Sequence, residues 1–402
     1  MYLSRRRFVL GSGVAGLLAA RARLTWPIQA AHTAEPEWQA SAELLGRLPR
    51  LLELASVPGL AVGLIRNGRV WQRGFGCAIN ETALPVTEQT VFEAGSLGKP
   101  IFAYAVMRLV QAGLLELDRP LHEYLPLPDA TTPRMKRVTT RQVLSHTTGL
   151  PNWRRDPAPL DPAVEPGQEF RYSGEAYFYL QRVAEALSGK PFARLMREQV
   201  LEPIGMTQSS YVWLATLDSR MAAGYDGHRK RLDVQGAIGR RTQAIAQEWG
   251  KPLSEWRYED SARAVPLVSP DWPVLPLYMV PNAGTSLLTT VSDYARFLIR
   301  LVAKPPAQGL DLDEGTLGAM MSPHVRLNSA LDWGLGWGIQ HDEHGELLWH
   351  WGANNSFRNF VIADPMNGRA IVVLTNSENG TRLCERVIVS VTGHDHPIFL
   401  WI

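Results

Sequence analysis

A serine and a lysine stand three residues apart where a predicted apolar helix begins, at Ser96 and Lys99. Side chains with this spacing on a helix lie about 5–6 Å apart at Cβ, so Lys99 is within reach of the Ser96 hydroxyl proton. A serine hydroxyl attacks poorly unless a base lies within hydrogen-bond distance. A helix N-terminus also directs backbone N–H groups at developing negative charge. The pair is therefore a candidate nucleophile and base.

The spacing is weak evidence by itself, although no other lysine of the chain has a serine three residues before it. A helix-capping serine beside a solvated lysine explains the same pattern, and on spacing alone that explanation is the better one. The elements around the pair and the motifs elsewhere in the chain decide between the two.

Predicted strands stand at both ends of the chain, and predicted helices fill its middle. A hairpin at 58–77 turns at Asn67-Gly68, a strong hairpin signal, and strands return near the end. This order predicts an α+β fold: one antiparallel sheet built from both chain ends, flanked by helices, with an inserted helical lobe. The sheet lobe is expected at about 35–95 and 281–402, and the helical lobe at about 96–280. The later strands are expected at 333–340, 347–351, 357–363 and 370–375; helices at 44–54, 101–114, 140–144, 175–187, 192–201, 291–302 and 381–391; and loops with short elements at 214–280.

The first 34 residues contain five arginines and no acidic residue. Consecutive arginines at 5–7 precede an apolar run at 8–20, an order that resembles a twin-arginine export signal. The run is too short to span a bilayer, which takes about 20 residues. We therefore predict an export signal over 1–34, transient contact with the twin-arginine machinery, and a periplasmic or extracellular domain over 35–402. An uncleaved membrane anchor and a cytosolic protein with a basic start are the alternatives.

The rest of the composition excludes several classes of function. Without the signal the formal charge is −3, and no clustered basic surface suggests nucleic-acid binding. The two cysteines, Cys77 and Cys384, are free to pair in an oxidising compartment, but two buried thiols are the favoured interpretation. No His/Cys/Asp set has metal-ligand spacing, so no metal site is predicted. The absence of a Gly-x-Ser-x-Gly motif argues against an α/β-hydrolase.

Six motifs in one order connect the serine–lysine pair to a known superfamily. They are Ser96-Leu97-Gly98-Lys99, Leu117-Asp118-Arg119-Pro120, Leu144-Ser145-His146-Thr147-Thr148-Gly149-Leu150-Pro151, Tyr172-Ser173-Gly174, Trp333-Gly334-Leu335-Gly336-Trp337 and His350-Trp351-Gly352. Together they resemble the penicillin-recognising serine hydrolases, which include class C β-lactamases, D-alanyl peptidases and family VIII carboxylesterases. The likeness extends over nearly all of the mature chain and implies a β-lactamase/transpeptidase-like fold.

The resemblance implies a role for each motif. Ser96 is expected to be the acylated nucleophile and Lys99 to help remove its proton. Tyr172 is expected to shuttle a proton to the leaving group, with its pKa lowered by the nearby lysine. The backbone N–H groups of Ser96 and Ala353 would form the oxyanion hole. His146, despite its chemistry, is expected in a structural turn.

The third motif is expected to line the substrate through His350, Trp351 and Gly352. Gly352 would leave room for an approaching ligand, and the Trp351 indole suggests an aromatic or acyl pocket. Gly174, also expected at the substrate, stands where β-lactamases usually have Asn. His350 and Trp351 replace the more usual lysine and hydroxyl residue, and both changes would weaken the grip on a β-lactam carboxylate.

The sequence thus predicts a serine hydrolase that acts through an acyl-enzyme on Ser96. An esterase or peptidase-type activity on a small-molecule ester or amide is favoured, with no cofactor, since serine acyl transfer needs only positioned donors and a base. A β-lactamase or a D-alanyl or D-amino-acid peptidase is the first alternative. An acyltransferase and a catalytically silent binding protein are the others, and the oligomeric state stays open.

Overall fold

The computed structural model of the protein describes residues 38–128, 132–154, 159–232, 234–268, 280–303 and 312–402. Contacts group these residues into the unit Glu37–Ile402. The export signal predicted for residues 1–34 lies outside the described residues and stays a prediction. Among the helices that are described, none is both long and apolar enough to cross a membrane.

The largest element is an antiparallel sheet to which both ends of the chain contribute. Nine of the described strands form it, in the order β3-β2-β1-β13-β12-β11-β10-β9-β8. At its centre Leu60 of β1 pairs with Thr375 of β13. The predicted α+β fold, with one sheet built from both chain ends, is confirmed. The described strands are β1 (Gly59–Arg66), β2 (Arg69–Ile79), β3 (Leu84–Pro85), β4 (Phe92–Glu93), β5 (Gly224–Tyr225), β6 (Arg231–Leu232), β7 (Leu288–Thr289), β8 (Val325–Arg326), β9 (Leu331–Trp333), β10 (Gly338–Asp342), β11 (Gly345–Asn354), β12 (Phe357–Asp364) and β13 (Arg369–Thr375).

The Asn67-Gly68 turn joins β1 and β2 as the sequence predicts. Both residues have positive φ, 49° and 75°, which is the backbone that a two-residue type I′ hairpin turn needs. Seven consecutive residues of β1, from Gly59 to Ile65, are buried. A strand covered on both faces has a continuous apolar sequence rather than an alternating one. This explains the apolar composition of β1.

Helices cover the two faces of the sheet and create two hydrophobic cores. Ala61 and Ile65 face the core that holds α2 and α11, whereas Leu60, Val62 and Leu64 face the core that holds α1 and α13. The described α-helices are α1 (Ala42–Leu54), α2 (Gly98–Gln111), α3 (Leu121–Tyr124), α4 (Thr140–Leu144), α5 (Gly174–Ser188), α6 (Phe192–Met196), α7 (Glu202–Ile204), α8 (Ala215–Asp218), α9 (Val234–Glu248), α10 (Tyr258–Val268), α11 (Val291–Val302), α12 (Glu314–Met321), α13 (Gly380–Thr392) and α14 (Ile398–Trp401).

The structure differs from the sequence-based expectation in two regions. Residues 214–280 contain the helices α9 and α10, where loops and short elements were predicted. They pack through a stack of Trp249 on the fully buried Trp256, with ring centroids 5.2 Å apart, so tertiary contact stabilises helices with weak apolar periodicity. The strand predicted at 333–340 is instead two strands, β9 and β10, because the chain reverses at Gly334–Trp337, with Gly336 at φ 88°.

The two cysteines do not form a disulfide, which agrees with the favoured prediction of free thiols. Both are free thiols. Cys384 is buried under the sheet on α13, whereas Cys77 on β2 is only half-buried, so the expectation of two buried thiols holds for one of them.

We expect Gly338→Ala to lower the free energy of unfolding by about 1–3 kcal/mol, since overpacking displaces a core side chain. Gly338 lies opposite Trp349 in the β10–β11 pair, and a Cβ there would stand 2.2 Å from the Trp349 indole. Urea denaturation measures the change. Gly46→Ala is the control: it lies exposed in α1 with open space around it, so it should raise stability by about 0.5–1 kcal/mol. An unchanged free energy of unfolding in Gly338→Ala would contradict this packing.

Candidate active site

Ser96 lies in a turn of 3-10 helix, Gly95–Leu97, that runs directly into α2. Two buried phenols from other elements fix this turn. Tyr294 donates its hydroxyl proton to the Leu97 carbonyl at 3.0 Å, and Tyr211 donates to the Gly98 carbonyl at 2.7 Å. The Ser96 side chain therefore starts from a backbone that tertiary contacts hold in place, and the residue remains 8% exposed.

Lys99 is fully buried, and its amine contacts the serine directly. Nζ lies 3.0 Å from Ser96 Oγ and 2.9 Å from the Gly284 carbonyl oxygen. Burial in this apolar position lowers the pKa of Lys99 from 10.5 to about 7, because removal from water disfavours the charged form. A substantial fraction of Lys99 is thus a neutral amine at neutral pH, which can accept a proton from Ser96.

Three aromatic rings surround the Lys99 amine. Nζ lies 4.8 Å from the centroid of the Tyr172 ring, 5.6 Å from that of Tyr177 and 6.0 Å from that of Trp153. Ring faces attract a cation at such distances. They therefore support the protonated amine that proton transfer from serine would create, without supplying a carboxylate that would keep it charged.

Tyr172 is brought to the pair, but its pKa moves in the opposite direction to the one expected. Burial raises the pKa of the phenol well above 10, and the nearby Ser96 side chain offsets only part of the rise. The expectation that Lys99 lowers this pKa is wrong, because desolvation dominates where the lysine itself is largely neutral. The hydroxyl is buried and has no well-formed hydrogen bond to any described residue. Tyr172 accordingly keeps its proton and is a donor rather than a base.

His146 supports Tyr172 from behind. Its backbone has a positive φ of 56°, its Nδ1 accepts the Ser173 N–H at 3.1 Å, and its ring lies against that of Tyr172 with centroids 4.2 Å apart. Burial lowers the pKa of His146 well below its usual value, so the ring is neutral. These contacts agree with the predicted role in a structural turn.

The backbone nitrogen of Ala353 lies beside the turn that carries Ser96. Asn355 and Ser356 form the two-residue turn between β11 and β12, with Asn354 opposite Phe357. Hydrogen-bonded and non-bonded pairs alternate in an antiparallel ladder, so the N–H of Ala353 points away from β12. The Ser96 turn lies there: a Cβ on Gly95 would stand 2.9 Å from the Ala353 nitrogen. The Ala353 nitrogen therefore lies beside the Ser96 turn, and its part in an oxyanion hole stays a prediction.

Gly352 lies where β11 approaches another protein segment closely. A Cβ at this position would lie 2.0 Å from the Ala94 carbonyl oxygen. The glycine therefore allows β11 to pack against the backbone before Ser96, and the expectation that it also leaves room for a ligand stays a prediction. Its effect on the site is indirect but large, because it sets the distance between Ser96 and Ala353.

Trp153 occupies the space beside Gly174, a contact that no sequence motif predicts. A Cβ on Gly174 would lie 2.1 Å from the Trp153 indole, so any side chain at 174 would collide with the ring. Gly174 thus lies directly under this indole, and its place at the substrate stays a prediction. Asn152 holds the loop in position by accepting the Gly174 N–H at 3.0 Å. The signal in the sequence was the glycine at position 174, where β-lactamases usually have Asn, because another group must then fill the space of the missing side chain.

His350 and Trp351 form the far wall of the site. His350 is fully buried, donates from Nδ1 to the Trp351 carbonyl at 2.7 Å, and burial lowers its pKa to about 3. Its ring is therefore neutral and carries no charge for a carboxylate. The Trp351 indole packs on Tyr172 with centroids 5.0 Å apart and reaches Trp401 of α14 at 6.1 Å. The predicted aromatic pocket is here largely a packed wall.

Comparison with known proteins gives one family and a consistent fold. The Beta-lactamase family model matches residues 48–388. Protein flp of Staphylococcus aureus (strain N315) is 22% identical over 370 residues, which is 85% of this chain and 65% of flp. A beta-lactamase of Yersinia enterocolitica is 28% identical over 235 residues, or 55% of this chain and 60% of that protein. The chain spans less than two thirds of the length of these relatives.

Solved structures share the fold at low identity. A penicillin-binding protein homologue from Pyrococcus abyssi, an octamer, superposes with a TM-score of 0.67 and 20% identity over 88% of this chain and 77% of its own. The D-alanine carboxypeptidase AmpC from Burkholderia cenocepacia superposes with a TM-score of 0.66 and 20% identity, over 86% of this chain and 97% of its own. At this identity the likeness establishes the architecture.

We expect Lys99→Met to raise the free energy of unfolding by on the order of 2–4 kcal/mol at about pH 6, and by progressively less as the pH rises towards 10. The unfolded lysine titrates near 10.5 and the folded one near 7. Between these values the unfolded chain binds more protons, so wild-type stability rises with pH. Urea denaturation across this pH range measures the difference. Lys136→Met, at an exposed lysine, is the control. If the stability change caused by Lys99→Met varied with pH as little as that caused by Lys136→Met, the buried, neutral state of Lys99 would be contradicted.

Proposed function

Since this chain belongs to the beta-lactamase family, which its match over residues 48–388 establishes, we propose that it is a serine hydrolase that forms an acyl-enzyme on Ser96 and prefers neutral esters. The observation that carries the proposal is the hydrogen bond between Ser96 Oγ and the buried amine of Lys99, 3.0 Å long. A buried lysine with a pKa near 7 has the value that suits a general base at neutral pH.

The first half of the reaction forms the acyl-enzyme. The neutral Lys99 amine takes the Ser96 proton as Oγ attacks the substrate carbonyl carbon, and the carbonyl oxygen gains a negative charge. The N–H groups of Ser96 and Ala353 stabilise that charge; removal of one such donor typically slows a reaction by about 10²–10³. Tyr172, protonated at rest, gives its proton to the leaving oxygen as the bond to the acyl carbon breaks. Lys99 then passes the proton that it took from Ser96 to the resulting phenolate.

The second half releases the acid. Water takes the place of the leaving group and loses a proton to the neutral Lys99 amine as it attacks. Ser96 Oγ then leaves with that proton from Lys99. A different acceptor in place of water would make the same site an acyltransferase. The choice depends on which nucleophile reaches the acyl-enzyme.

Three features favour a neutral ester over a β-lactam. The Trp153 indole fills the position beside Gly174 that an amide side chain takes in β-lactamases. The His350 ring has a pKa of about 3 and offers no positive charge to a substrate carboxylate. The rest of the wall, Trp351 and Tyr172, is aromatic. A charged substrate would lose its hydration here without gaining a paired charge, which is costly. D-alanyl peptides carry the same carboxylate and meet the same obstacle.

We expect a fluorophosphonate probe to label the protein at Ser96 and Ser96→Ala to abolish the label. Labelling should accelerate as the pH rises through about 7, because Lys99 must be neutral, and Lys99→Met should slow it by at least about 10². Ser390→Ala, at an exposed serine on α13, is the matched control and should label like wild type. Intact mass and gel fluorescence measure the adduct. Equal labelling of Ser96→Ala would overturn the proposal, and a folded protein with no label would indicate a binding protein.

We expect short-chain nitrophenyl esters to be hydrolysed with a higher kcat/KM than a chromogenic cephalosporin. The double variant Trp153→Ala/Gly174→Asn should shift the ratio towards the cephalosporin by at least about 10-fold, since it restores space and an amide donor worth about 1–3 kcal/mol. Trp71→Ala, at a partly exposed tryptophan on β2, is the matched control and should leave the ratio unchanged. A wild-type protein that prefers the cephalosporin would refute the ester preference while leaving the acyl-enzyme intact.

A further inference from the structure

A second group of chemically competent side chains lies at the opposite end of the sheet from Ser96. Asp342, His394 and His396 each offer one ligating atom, and these atoms lie within 4.8 Å of one another. Asp342 ends β10 and pairs with Gly345, eight residues before Ala353 on β11, which is about 26 Å along a strand. The cluster is therefore separate from the site around Lys99.

The hydrogen bonds around the two imidazoles fix which nitrogen of each carries a lone pair. His394 Nδ1 lies 3.2 Å from the Thr392 carbonyl oxygen, to which it can only donate. Its Nε2 is buried and has no hydrogen-bond partner among the described residues. His396 Nε2 lies 2.8 Å from Thr392 Oγ1, whose own proton is directed to the Ile388 carbonyl at 2.9 Å. His396 therefore donates from Nε2 and keeps a lone pair on Nδ1.

One donor group already occupies the point where two of these lone pairs meet. The Gln340 Nε2 amide donates to Asp342 Oδ2 at 2.6 Å and to His396 Nδ1 at 3.0 Å, while its Oε1 accepts the Ile398 N–H at 3.4 Å. A carboxylate and an imidazole that share a single NH₂ group are arranged around the position of a small cation. The amide thus stands in for a positive charge in the described structure.

The hydrogen bonds leave one ring nitrogen of each histidine with a lone pair, Nε2 of His394 and Nδ1 of His396. The ring of His344 stacks on that of His394 with centroids 3.8 Å apart and so holds its plane. Neutral imidazoles with the second nitrogen donated to a carbonyl or hydroxyl oxygen are the usual state of metal-ligating histidine.

We propose that Asp342, His394 and His396 bind a divalent transition-metal ion of the zinc type. Two imidazoles and one carboxylate suit Zn²⁺, with water as a fourth ligand. Bonds of about 2.0–2.2 Å need ligand atoms about 3.4 Å apart. The three groups must therefore close in by up to about 1.4 Å, and Gln340 must release Asp342. Asp342 and His394 are only partly buried, which leaves a path for the ion and room for the movement.

Such an ion would tie the end of the chain to the sheet. His394 and His396 precede α14, and Trp401 of that helix packs on Phe170 and Trp351 with ring centroids 5.9 and 6.1 Å apart. Metal binding would therefore hold the outer layer of the aromatic wall in place from a distance. Because a ligand that binds only the folded state stabilises it, the ion should raise the melting temperature of the protein.

Titration of the full chain with ZnCl₂, after treatment with a chelator, tests the site by calorimetry and by thermal unfolding. We expect one ion per chain and a higher melting temperature. His394→Ala, His396→Ala and Asp342→Asn should each weaken affinity at least about 10–100-fold and remove the rise in melting temperature. Gln340→Leu should keep or improve binding, because it removes the competing amide.

His341→Ala is the matched control. His341 adjoins Asp342 in sequence, but its own Nε2 contacts Asp332 at 2.7 Å and its Nδ1 contacts Glu346 at 3.2 Å, so zinc affinity should not change. Circular dichroism before titration establishes that each variant is folded. Lack of saturable binding by the wild-type chain, or unchanged binding by a folded His394→Ala/His396→Ala variant, would overturn the proposal.

Discussion

The site depends on an amine that is kept out of water. Lys99 is fully buried, and among the described residues its amine contacts the Ser96 hydroxyl and the Gly284 carbonyl. Burial of a charge without a counter-charge is expensive, and the protein avoids the cost by neutralising the lysine. The same burial keeps the proton on Tyr172. One cause, desolvation, thus shifts the two pKa values in opposite directions and underlies the roles that we propose for them, Lys99 as a base and Tyr172 as an acid.

The surrounding fold is arranged to preserve that separation. The Ser96 turn is fixed by phenols from Tyr211 and Tyr294, while the absence of a side chain at Gly352 lets β11 bring the Ala353 N–H against it. On the other side, His146 uses a strained backbone to hold the Ser173 N–H and the Tyr172 ring. Each group of the site is therefore positioned by a different element, and the sheet with its inserted helices joins them.

Short sequence patterns predicted the features of the fold that depend on residues close together in the sequence. Asn67-Gly68 predicted its turn because both residues tolerate positive φ, and the order of strands and helices predicted the sheet. The predicted direction of the Tyr172 pKa shift was wrong because the pKa depends on burial by residues distant in sequence. The helices α9 and α10 were missed because tertiary packing, including that of Trp256, stabilises them. Trp153 and the Asp342, His394 and His396 cluster were missed for the same reason. Asp342 is remote in sequence from both histidines, so no motif spacing could connect them.

The pairing of β1 with β13 sets a condition on how the molecule is made. The Gly59 N–H donates to Asn376 Oδ1, 317 residues along the chain, at 2.8 Å. Ribosomes add about 5–20 residues per second, so the first hairpin waits roughly 15–60 s for its partner strand. During that time its apolar edge is unpaired and prone to adhere to other nascent chains. Holding factors that shield this hairpin until the last strand emerges should therefore govern the yield of native protein, and moving the chain ends by circular permutation so that β13 leads directly into β1 should relieve the requirement.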